Sequence, residues 1–232
     1  MDAMPMPDGG MMSMAWMPMC GQSWLGAAAS FLGMWTMMMA AMMLPSLVPM
    51  LWRYRQTVAS AGPLSSGLLT VLVAGGYFLV WIVLGAAIYP MGAAAMAVIM
   101  RRPVPAPAVP TAIAVAVVAA GVLQLTRWKT RHLACCRASC CSEPIGRGDL
   151  AARAFKACTD GLRLGLHCAQ CCAGLTVVLL VTEIMNVPAM VAVTGAVTLE
   201  RLAPAGERIA RVTGVIMIGA GFFLVLRARG LS

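Results

Sequence analysis

LQLTRWKTRHLACCRASCCSEPIGRGDLAARAFKACTDGLRLGLHCAQCCAGL, residues 123–175, holds eight of the nine cysteines and both histidines of a 232-residue chain. It also carries eight of the seventeen Lys and Arg residues, and long apolar runs flank it on both sides. The whole chain is 61% hydrophobic and 11% charged, with a mean hydropathy of +0.85. Soluble domains carry about 25% charged residues. A water-soluble core cannot take up so much apolar sequence, but a bilayer can. A polar, cysteine-rich island between apolar runs thus reads as an all-α polytopic membrane protein, and the lipid bilayer is its first partner.

Outward from that island, the apolar runs predict about six transmembrane helices. They lie at about residues 24–52, 67–89, 110–127, 165–186, 188–201 and 209–227, with a Cys/His-rich loop over 127–164. Trp24 and Trp52 suit the two interfaces of the first span, and Pro45 and Pro49 predict a kink in its last third. Pro90 is expected to close the second span, and RRPVPAPAVP to link it to the third. Asn186-Val187-Pro188 reads as a turn. The fifth span is short against the roughly 20 residues of a full crossing, so it is read as tilted or as half of a re-entrant pair. Residues 1–23 form a separate Met-rich tail with eight methionines, where Gly and Pro exclude a regular helix and predict flexibility. The tail has no basic n-region, so no cleaved signal peptide is expected.

The net charge of +9 comes with no nucleic-acid signature and is read as topology. With the tail outside, thirteen of the seventeen basic residues fall on the cytoplasmic side and only Arg101, Arg102, Arg227 and Arg229 fall outside. The location predicted is a bacterial inner membrane, with the N-terminus external and the cysteine-rich loop cytoplasmic. Glu183 and Glu200 lie near span ends and are read as solvated there.

Helical spacing groups the soft ligands. Residues four apart share a face, so His132 and Cys136 form one set and Cys168, Cys171 and Cys172 another. Met34, Met38 and Met42 stack a thioether stripe along the first span. Thiolates and thioethers select soft ions, above all Cu(I), and zinc is the second ion that Cys/His sets hold. The adjacent pairs Cys135–Cys136, Cys140–Cys141 and Cys171–Cys172 argue against a disulfide framework, because neighbouring cysteines bridge only with strain. The expected function is binding and delivery of copper beside a membrane metalloenzyme or to a copper-accepting protein. Two other readings stand beside it. One is an accessory or structural subunit of a membrane complex, with Met filling helix contacts. The other is a thiol-redox protein working through Cys171 and Cys172. No nucleophile–base pair, P-loop or dinucleotide fingerprint is present, so catalysis is not expected.

Four stretches carry a family resemblance over about residues 34–202. They are MWTMMMAAMMLPSLVP at 34–49, the aromatics Tyr77, Trp81 and Tyr89, the run WKTRHLACCR at 128–137, and Gly161 through Asn186 with Gly165, Cys168, Cys171 and Cys172. The chain resembles the bacterial group of predicted metal-binding integral membrane proteins, domain-of-unknown-function family 2182. The resemblance implies metal binding and lends no catalytic activity. Trp128 stands where that family has leucine, His132 where it has cysteine, and Ala173 where tryptophan is expected. A Cys-to-His exchange trades one metal ligand for another.

Overall fold

The computed structural model describes residues 4–5, 11–12, 23–59, 63–101, 108–138, 150–181 and 187–228. Nearly all of these residues are helical. The helices are α1 (Trp24–Thr57), α2 (Pro63–Arg101), α3 (Ala108–Leu125), α4 (Arg127–Ala138), α5 (Leu150–Val181), α6 (Val187–Leu202) and α7 (Gly206–Ala228). Strands β1 (Met4–Pro5) and β2 (Met11–Met12) pair antiparallel, with Met4 opposite Met12. Most of the remaining tail, together with Cys140, Cys141, Glu183 and Asn186, lies outside the described residues.

Helices α1, α2, α3, α5 and α7 are long and apolar enough to cross a membrane. At 16 residues, α6 is not among them. Large apolar side chains on the outer surface, such as Val215, Ile216, Phe222 and Phe223 of α7, are exposed. A bilayer solvates them where water would not.

The helices differ from the expected segments at three places. The 34 residues of α1, at 1.5 Å each, span roughly 51 Å, well beyond a hydrocarbon core of about 30 Å. Ser23 caps it, its side chain accepting from the Gly26 amide at 3.1 Å. Pro90 does not close the second span, because α2 runs on through it to Arg101. A proline removes one amide donor, a loss that packed membrane helices tolerate. Nor are residues 127–164 a simple loop, because α4 and the first turns of α5 occupy much of the stretch. Once the apolar half of α5 is helical, each further residue adds a hydrogen bond at little cost.

Glycines set the helix pairing that positions the site. Helix α2 lies along α5, and α3 along α7. A Cβ on Gly161 would run into the Val73 carbonyl, one on Gly165 would come 2.9 Å from the Tyr77 carbonyl oxygen, and one on Gly76 2.7 Å from that of Cys158. The Gly161-x-x-x-Gly165 spacing thus brings the two backbones into direct contact, as small residues do between membrane helices. On the other side of α2, the buried Trp35 of α1 donates its indole N–H to the Trp81 carbonyl at 2.9 Å. Helix α2 is held between α1 and α5.

Candidate metal centre

Close contact between α2 and α5 places Tyr77 against the cysteines. Its hydroxyl lies 3.0 Å from Cys168 Sγ, and Cys168 Sγ lies 3.9 Å from Cys172 Sγ one turn on. Cys171 is coupled electrostatically to its neighbour Cys172 and, across the helix pair, to Cys136 of α4. All four thiols are buried and free. Cys135 is exposed, and Cys158 is half-buried ten residues before Cys168 on α5. The Cys136 thiol is held above its usual range, first by its hydrogen bond to Cys171 and then by burial.

The cluster meets three charged residues. Arg201 of α6 donates to Ser46 Oγ at 2.9 Å and to Cys168 Sγ at 3.3 Å, and its other terminal nitrogen lies 3.2 Å from Met50 Sδ. Lys129 of α4 donates to the Cys171 carbonyl and pairs with Glu200 at 2.8 Å. Glu200 also accepts from Gln124 Nε2 at 3.1 Å. Lys129, Glu200 and Arg201 are only 2%, 1% and 5% exposed. This corrects the reading of Glu200 as a solvated span end. It also removes Lys129 and Arg201 from the thirteen charges expected in loops. Burying these charges is tolerable only because each meets a charged or polar partner.

The methionines expected from the sequence face the bundle. Met38 and Met42 are buried, and Met34 packs against the same core. The four-residue ridge Met34–Met38–Met42 continues through Ser46 to Met50, the two residues of α1 that Arg201 touches. Sequence spacing carried that signal two steps further than the methionine run suggested.

His132 lies one helical turn before Cys136 and packs against two rings. Its ring stacks edge-on to Trp128 with centroids 4.6 Å apart, and 5.9 Å from the ring of His167. Among the described residues, no group of three or more His, Cys, Asp or Glu side chains is already arranged as a metal site. The donor chemistry does fit a soft ion. Two sulfurs on one ion at about 2.3 Å, in a tetrahedral arrangement, lie about 3.8 Å apart, and Cys168 and Cys172 already stand 3.9 Å apart.

These features define a class: a polytopic helical membrane protein with a buried thiol cluster at the meeting point of α2, α4, α5 and α6. A family model of PpoB2 copper chaperones matches residues 32–224, and the chain belongs to that family. The match covers every helix of the site and does not carry the label of family 2182. No curated protein and no solved structure matches the chain. Membership makes copper handling the general role and points away from catalysis.

Proposed function

We propose that this protein binds Cu(I) as cargo at Cys136, Cys168, Cys171 and Cys172 and passes it to a copper-accepting protein or a membrane metalloenzyme. The observation that carries the reading is the convergence of four buried thiols from two helices. Thiolates prefer Cu(I), and a site out of water protects such an ion from exchange. Two or more thiolates holding one Cu(I) carry a net charge of −1 or below, which the Arg201 guanidinium beside Cys168 complements. The ridge Met34–Met38–Met42–Ser46–Met50 supports a weaker thioether path into that pocket, with the Met-rich tail as its collector. The tail is taken as external in a bacterial inner membrane, since the charge bias persists without Lys129 and Arg201. The resemblance to family 2182 belongs to the same reading, because Lys129, Cys136, Cys168, Cys171 and Cys172 are among the positions it shares with that family.

Competition titration of anaerobic, detergent-extracted protein with a Cu(I)-specific chelator tests the site. Cys136→Ser and Cys172→Ser should each lose the tightly held ion, and the double variant should be little worse than either, as for residues acting on one ion. Full copper occupancy in both single variants would return these cysteines to packing or thiol exchange.

A further inference from the structure

His132 and His167 take no part in the sulfur cluster, yet the helices set them side by side. Their ring centroids are 5.9 Å apart. Each ring has its Nδ1 atom buried and without a hydrogen-bond partner among the described residues. A buried polar nitrogen left unsatisfied is destabilising, so two such atoms in neighbouring rings are a costly arrangement for packing alone. A shared cation would satisfy both. A metal–nitrogen bond of about 2.0 Å, with about 1.1 Å from ring nitrogen to ring centre, places two imidazoles on one ion up to about 6.2 Å apart. The observed spacing falls inside that reach.

Register adds a second, independent observation. Cys136 follows His132 by four residues on α4, and Cys171 follows His167 by four on α5. One helical turn therefore separates the imidazole pair from the Cys136–Cys171 thiol pair on both helices at once. Two imidazoles stand in line with two thiols, and the softer, stronger ligands are the buried ones.

We infer that His132 and His167 form a separate two-nitrogen metal site, a station that receives Cu(I) and releases it to the thiols one turn away. This rests on the proposed thiol site for its downstream half only. Transfer is ligand exchange with no change of oxidation state: sulfur replaces nitrogen on the ion, and each thiol that joins gives up its proton to the imidazole nitrogen it displaces.

The test uses the full-length protein in detergent, anaerobic, titrated with Cu(I) under chelator competition and examined by X-ray absorption at the copper edge. Wild type should take a first equivalent in a sulfur shell and a second in a nitrogen shell. The variant His132→Ala/His167→Ala should lose only the second equivalent and load the first more slowly. Cys136→Ser/Cys171→Ser leaves both imidazoles in place and should retain the nitrogen-bound ion, which keeps the test open if the alanine variant fails to fold. A wild type without nitrogen-bound copper overturns the inference. So does an alanine pair that loses the sulfur-bound ion as well, because the histidines would then belong to one shared site. Nitrogen-bound copper with no sulfur-bound copper would instead refute the thiol reading and leave the histidine pair standing.

Discussion

Arg201→Gln separates the two roles a buried guanidinium can have. The wild-type side chain touches Cys168 Sγ at 3.3 Å, Ser46 Oγ at 2.9 Å and Met50 Sδ at 3.2 Å. An ion bonded to Cys168 at about 2.3 Å would lie about 5 Å from that nitrogen. At an effective dielectric of about 20, a unit charge facing the net −1 of a two-thiolate Cu(I) complex contributes about 3 kcal/mol. That is roughly a hundredfold in Kd. Glutamine retains a donor and much of the volume but loses the charge. The free protein should fare better than the loaded one, because removing the cation also removes its desolvation cost. The expected result is Cu(I) affinity about a hundredfold weaker, with a small change in the thermal midpoint of the metal-free protein. Chelator competition and a melt followed by circular dichroism supply the two numbers. A Kd within about threefold of wild type, with a collapsed melting point, would show that Arg201 only braces the helices.

Gly161→Leu should break the contact of α2 with α5 and cost at least about 1–3 kcal/mol by overpacking, whereas Gly33→Ala, with nothing within 4 Å, should be nearly silent in the same melt. Lys129→Met alone strands Glu200 in the bundle and should cost about 3–5 kcal/mol, while Lys129→Met/Glu200→Gln should recover part of the loss. Copper affinity should rise with pH, because Cys136 holds its proton above the usual thiol range and must release it to bind. Each such proton adds a slope of about one log unit in affinity per pH unit, and Cys136→Ser should flatten the titration accordingly; an affinity independent of pH would remove Cys136 from the ligands.

Much of this was legible in the sequence because spacing and composition report local geometry. The i, i+4 rule put His132 with Cys136, and Cys168 with Cys172, on their helix faces, and the methionine ridge of α1 does point inward. The same rule cannot say which neighbouring helix a face meets. His132 and Cys136 share a face, yet one ring packs beside His167 and the other sulfur beside Cys171. Charge was the weaker guide. Lys129 and Arg201 look like loop cations, and Glu200 like a span end, because a sequence gives each residue a type and not a depth. Their burial follows from tertiary pairing: Lys129 with Glu200, and Arg201 with groups from α1 and α5. The Gly-x-x-x-Gly step at 161–165 was readable as a motif. That it sets Tyr77 on Cys168 depends on α2 being its partner.

Whether the buried thiols hold copper is decided by copper-edge X-ray absorption of the full-length protein loaded with a single equivalent of Cu(I). The expected result is a shell of sulfur scatterers alone, lost when Cys168→Ser and Cys172→Ser are combined. A nitrogen or oxygen shell at that first equivalent, or a sulfur shell that survives the double substitution, would contradict it.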